Sequence, residues 1–110
     1  MKKTIFFLFF ILAFSISVFA QTPNSVDCII LEDENSIICK YTHKRLKSDK
    51  EITIQWISPS NEISRERVMT IPAGHASIYD YRYKDGRVKG IWSFKVIDDS
   101  KEYVTTFTIE

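Results

Sequence analysis

The sequence predicts an all-β protein: a single seven-stranded antiparallel β-sandwich behind an N-terminal export segment. Three observations lead there. Beyond residue 25 the chain falls into short runs of β-branched and aromatic residues, separated at regular spacing by polar or Pro/Gly turns. None of these runs has the 3.6-residue apolar period of an amphipathic helix. Two pairs of runs also form hairpins in which burial and turn position agree on one register. A small closed barrel is the alternative architecture for the same strands.

The first twenty residues are set apart from the fold. Lys2 and Lys3 precede an apolar run from Ile5 to Phe19, and Val18-Phe19-Ala20 offers acceptable residues at a cleavage site. Residues 1–20 therefore read as a secretory signal peptide, with Gln21 as the new N-terminus. The run is shorter than the roughly 20 residues a membrane span needs, so no span is expected after cleavage. Residues 21–25, with Pro23, form a loose leader, and the sandwich domain occupies 26–110. This places the protein in the periplasm or outside the cell.

Removing Lys2 and Lys3 leaves 13 basic residues against 14 acidic ones. That balance excludes nucleic acid as the main partner, because phosphate binding needs a net basic surface. Ninety mature residues permit one domain with a thin stability margin.

The elements follow in order. Strands are expected at 26–31 and 36–41, joined by Glu32-Asp33-Glu34-Asn35. Pairing them about Asp33-Glu34 sets Val26 opposite Tyr41, Ile30 opposite Ile37 and Cys28 opposite Cys39. In an exported chain two such cysteines form a structural disulfide, worth about 2.5–3 kcal/mol on the chain-entropy account. Thr42 to Lys50 is a basic connection read as a solvated loop; Lys44, Arg45 and Lys47 are its candidate contacts for an anionic glycan, a lipid head group or an acidic partner.

In the strand at 51–57, Ile52, Ile54 and Trp56 alternate with polar residues, and Ser58-Pro59-Ser60-Asn61 makes a type I turn. The strand at 63–71 carries Arg65-Glu66-Arg67, charges that suit a protected sheet edge. In the strand at 76–83, Tyr79, Tyr81 and Tyr83 share one face while Asp80 and Arg82 share the other. Hydrophobicity puts the tyrosines over the core and leaves Asp80 and Arg82 as a surface ion pair. The second reading of the tyrosines is a row of rings presented to a partner.

The last strands, 91–98 and 102–109, form a hairpin about Asp99-Ser100. Trp92 then faces Phe107, Phe94 faces Thr105 and Val96 faces Tyr103. This apolar face and that of Ile52, Ile54 and Trp56 are expected to meet, since neither is stable when wet. Asp98-Asp99 reads as turn chemistry.

With Trp56 on the third strand, a Trp-x-x-Pro exit from it and Gly-x-Trp opening the sixth, the mature chain resembles the immunoglobulin and fibronectin type III class of sandwiches. It departs from the antibody pattern in placing both cysteines on strands one and two. The resemblance implies the fold and transfers no function.

No catalytic set is legible. His43 and His75 stand at no metal-binding spacing, no glycine-rich phosphate loop exists, and no cofactor is implied. The expected function is that of a small exported, non-catalytic interaction domain for an envelope protein or glycan. Candidate contacts are Tyr79, Tyr81, Tyr83, Arg87 and Lys89, together with the basic loop. The alternative is an inhibitor of a hydrolase, a lysozyme or protease, presenting the segment from Arg82 to Lys89 as a rigid loop.

Overall fold

The computed structural model describes residues 24–110. The expected signal peptide and the leader up to residue 23 lie outside the described residues. The strands are β1 (Ser25–Leu31), β2 (Ser36–Thr42), β3 (Lys50–Ile57), β4 (Ile63–Ile71), β5 (Ser77–Tyr83), β6 (Gly90–Asp98) and β7 (Lys101–Ile109). Each boundary falls within one residue of its sequence-based position. The link between β1 and β2 is a single 3-10 turn, Glu32–Glu34, closed by Asn35 in the left-handed region.

The strands form two antiparallel sheets, in the orders β1-β2-β5 and β4-β3-β6-β7. Among the described residues the sheets share no ladder, so the architecture is a sandwich and not a closed barrel. Among the described residues no helix is long and apolar enough to cross a membrane.

Both hairpins have the register that burial dictates. Cys28 lies opposite Cys39, Val26 opposite Tyr41 and Ile30 opposite Ile37. Trp92 lies opposite Phe107, Phe94 opposite Thr105 and Val96 opposite Tyr103. The two cysteines are joined in a disulfide.

The apolar faces of β3 and of the last hairpin share one core, as expected, and they meet side by side within one sheet. β3 pairs directly with β6, setting Trp56 opposite Phe94 and Ile54 opposite Val96. The two apolar faces are therefore one continuous surface. It is covered by the inward side of the other sheet, where Ile37, Cys39 and Tyr41 are fully buried and Val26, Cys28, Ile30 and Ile78 are packed at the margin. Trp56 meets Phe94 and Phe107 edge-on, with ring centroids 5.2 and 5.8 Å away. Trp92 stacks on Phe107. Large buried side chains of this kind contribute about 1.5–3 kcal/mol each, which is how a domain this small remains folded.

Pro59, at the exit of β3, and Gly90, at the entry of β6, meet in space. A Cβ on Gly90 would stand 2.9 Å from Pro59 Cγ, and the residue has φ +128°, so glycine is required on both counts. The intervening turn closes as expected, with the Asn61 N–H donating to the Ser58 carbonyl at 2.8 Å.

β4 is an edge strand, as its charges indicated. The opposite flank of the sandwich is narrowed where β1 packs against β7. The flank between β4 and β5 is bridged instead by polar side chains, and the candidate site lies there.

Candidate functional site

β5 is oriented opposite to expectation. Tyr79, Tyr81 and Tyr83 are 58–62% exposed, whereas Asp80 and Arg82 are 5% and 8% exposed. The reading of the tyrosines as core cover, and of Asp80 with Arg82 as a surface pair, is corrected on both points. The reason is local chemistry supplied by other strands. Asp80 accepts three donors: the Trp56 indole at 2.8 Å, Arg65 at 3.3 Å and Arg67 at 2.6 Å. Arg82 donates to Ser64 Oγ at 3.1 Å and holds its guanidinium carbon 5.5 Å from the centre of the Trp56 ring. A satisfied buried carboxylate and a stacked buried guanidinium cost little enough for the phenols to stay in water.

This arrangement leaves an open pocket of about 300 Å³ at the β4–β5 flank. Arg65 and Arg67 enter it from β4, Asp80 and Arg82 from the inward side of β5, and Arg87 from the following loop. Tyr81 and Tyr83 form its outer rim, with their ring planes 88° apart. Four guanidinium groups face one carboxylate, so the pocket holds a surplus of three positive charges. Burial lowers the affinity of Arg82 for its proton, and repulsion from Arg87 and Arg65 lowers it further, against the opposing pull of Asp80. Its Nε is buried without a hydrogen-bond partner among the described residues.

The outward face of the β1-β2-β5 sheet adjoins the pocket. Register lines up Ile29, Ile38 and Tyr81 in one cross-strand row, flanked by Asp27, Lys40 and Tyr79 on one side and Leu31, Ser36 and Tyr83 on the other. Ile29 is half exposed. The result is an apolar and aromatic strip with an ionic border at one end and the arginine pocket at its lateral edge.

The loop after β5 is held in place. The Lys84 N–H donates to the Asn35 carbonyl, the Asp85 N–H to Asn35 Oδ1, and Arg87 Nε to the Tyr83 carbonyl. Lys84 also forms an ion pair with Glu32, and the Trp92 indole donates to the Val88 carbonyl. Lys89 is exposed on this loop and takes no part in lining the pocket.

Lys44, Arg45 and Lys47 are exposed on the β2–β3 loop, as expected of a solvated segment. They lie at the Thr42–Ser77 end of the sheet, away from the loop that follows Tyr83. The two sets of candidate contacts are therefore not one surface. Arg45 donates to the Gly74 carbonyl at 2.6 Å. His43, expected in the solvated loop, is buried against Tyr41 with Nδ1 beside the Lys44 carbonyl, a correction with an aromatic contact as its cause. His75 is an exposed loop residue.

Asp98 is likewise corrected from a turn residue to a buried one. It accepts from the Tyr41 hydroxyl at 2.6 Å and pairs with Lys50. Asp99 alone serves the turn, with φ +56°. Among the described residues no three of His, Cys, Asp and Glu gather as a metal set.

Arg65, Arg67, Asp80 and Arg82 were missed as site residues. Their spacing held the signal: two arginines two apart on one strand, and an aspartate and an arginine two apart on another, are complementary faces. Comparison with protein-family models and with curated proteins finds no match for this chain.

Proposed function

We propose that this protein is an exported, non-catalytic interaction domain that binds a partner protein of the envelope or extracellular space through the outward face of the β1-β2-β5 sheet. One observation carries the reading: three tyrosines and Ile29 are held in water beside an arginine pocket, while the core is filled without them. Tyrosine and arginine are over-represented among the residues that dominate binding energy. The perpendicular rings of Tyr81 and Tyr83 make no coplanar platform for a sugar, which favours a protein over a glycan. Export is supported by the Cys28–Cys39 disulfide, since such bonds persist in oxidising compartments, and by the apolar N-terminal segment.

Two further features support the immunoglobulin and fibronectin type III class. One is the division of seven strands into sheets of three and four; the other is the contact of Pro59 with Gly90, which joins two of the motifs behind the resemblance. β4 lies beside β3 and not beside β5, unlike the constant-type immunoglobulin arrangement. A second reading, hydrolase inhibitor, is favoured by the loop at 84–89, which is tied to Asn35 and Glu32 as a rigid inhibitory loop would be.

Capture of a partner from an envelope extract tests the proposal. Tyr81→Ala is expected to weaken capture with an unchanged circular dichroism spectrum. Undiminished capture by Tyr81→Ala and Tyr79→Ala together refutes this face. A captured hydrolase that loses activity on binding selects the second reading.

A further inference from the structure

We infer that the pocket at the β4–β5 flank is a carboxylate receptor, which takes the side chains of an acidic segment of the partner that docks on the adjoining tyrosine face. The inference rests on the binding reading above and names the chemistry of its charged edge.

Charge is the first argument. Arg65, Arg67, Arg82 and Arg87 line one space with a single carboxylate, Asp80. An uncompensated cluster of like charges costs free energy in the free protein, and an incoming anion relieves it. Donor capacity is the second. A guanidinium carries five N–H donors in a planar fork. The bonds made within the site engage one nitrogen of Arg65, one of Arg67, one of Arg82 and the Nε of Arg87. All four side chains line the pocket, and the planar fork of a guanidinium matches the two oxygens of a carboxylate. Asp80 already displays that match, with one oxygen toward Arg67 and the other toward Arg65.

Pre-organisation is the third argument. Arg82 is held by Ser64 and by the Trp56 ring, and Arg87 by the Tyr83 carbonyl. Little side-chain freedom is left to lose when an anion binds, which favours affinity at a small site. Arg82 is more than nine-tenths buried, and its Nε lacks a partner among the described residues. That atom is closed to solvent, so burial fixes the guanidinium in place and does not itself offer this donor to a ligand. The surplus of three charges suits two adjacent acidic side chains better than one. The apolar strip of Ile29, Ile38 and Tyr81 beside the pocket suits a polypeptide, which offers both apolar and acidic groups.

The two tryptophans provide a built-in control. The Trp56 indole N–H is bonded to Asp80, whereas that of Trp92 is bonded to the Val88 carbonyl. The experiment is a nitrogen–proton correlation spectrum of the uniformly labelled protein, titrated with a capped Gly-Glu-Glu-Gly peptide and with capped Gly-Gln-Gln-Gly as the neutral control. The expected result is a saturable shift of the Trp56 indole signal with the acidic peptide only, weakening as salt is raised, while the Trp92 signal stays in place.

Arg87→Gln and Arg67→Gln are each expected to weaken the peptide by about tenfold. Both side chains sit at the pocket edge, so these variants keep the fold even if Arg82→Lys does not. Tetraglycine with a free terminal carboxylate is expected to compete poorly; equal competition overturns the assignment to acidic side chains in favour of a chain terminus. Tighter binding of a sulfated or uronic disaccharide overturns the polypeptide assignment. An unmoved Trp56 signal with the acidic peptide overturns the receptor itself. In that case partner capture that still falls with Tyr81→Ala leaves the docking face standing. A shifted Trp56 signal with capture indifferent to Tyr81→Ala supports the receptor and overturns the docking face.

Discussion

The indole N–H of Trp56 donates to Oδ2 of Asp80 at 2.8 Å, a bond that crosses from the four-stranded sheet to the three-stranded one. It turns β5 so that a carboxylate faces the core and three tyrosines face water. The orientation of the proposed binding face therefore depends on a polar contact within the sandwich.

Asp80→Asn keeps an acceptor for the indole but removes the charge opposite Arg65 and Arg67. The expected cost is about 1–3 kcal/mol, most of it from the buried Arg82 guanidinium, which loses the nearby charge of Asp80 that offsets Arg65 and Arg87. The pairs with the partly exposed Arg65 and Arg67 add little, because solvent screens them. Urea denaturation measures this. An unchanged midpoint would show that Asp80 does not organise the flank.

Trp92→Ala is expected to cost about 3–5 kcal/mol. Trp92 stacks on Phe107, and its indole ties the loop at Val88 to the core. For a domain of this size the loss approaches its whole stability. Thermal melting followed at far-ultraviolet wavelengths gives the answer, and a variant with the parental Tm contradicts the packing described.

Replacing both Cys28 and Cys39 with Ser is expected to lower stability by roughly 1–3 kcal/mol, by releasing a constraint on the unfolded chain. The native protein taken from an oxidising compartment should react with no thiol reagent. Two labelled cysteines in folded protein would refute the bond.

The group of Tyr41, Asp98 and Lys50 makes stability depend on pH at both extremes. Burial would raise the Asp98 carboxyl, but the bonds it receives from Lys50 and Tyr41 outweigh that and hold it below the usual carboxylate range. Its contribution is present above pH ~4 and is lost as pH falls through the lowered folded value. The Lys50 ammonium is raised by its bonds to Asp98 and Asp99. The Tyr41 phenol is raised by burial and then by its bond to Asp98. Both contributions are complete below pH ~10, where the unfolded groups are still protonated, and are lost as pH rises beyond it. Lys50→Met is expected to flatten the acid limb and the lysine part of the alkaline limb. Tyr41→Phe should reduce the alkaline loss. Denaturant midpoints measured across pH test both, and an alkaline limb unchanged in Tyr41→Phe would contradict the role of its hydroxyl.

Much of this molecule could be read along the chain. Period-2 patterning placed the seven strands, and matching of apolar residues set both hairpin registers. The same register brought Cys28 to Cys39. The charges of Arg65, Glu66 and Arg67 marked β4 as an edge. In the candidate site, Tyr81, Tyr83 and Arg87 were recognised, but Arg65, Arg67, Asp80 and Arg82 were not.

The legible part is local: where strands begin, how adjacent ones pair, and which residues share a face. These follow from alternation and turn chemistry, which act over a few residues. Which face of β5 points inward was decided only by tertiary structure. Both of its faces were plausible, and transfer free energy favoured burying the tyrosines. The donors that make Asp80 tolerable inside come from Trp56 on β3 and from Arg65 and Arg67 on β4, and the support for Arg82 comes from Ser64 and Trp56. A buried charge is favourable or prohibitive according to partners that the chain supplies from elsewhere, so the choice is made when the two sheets meet.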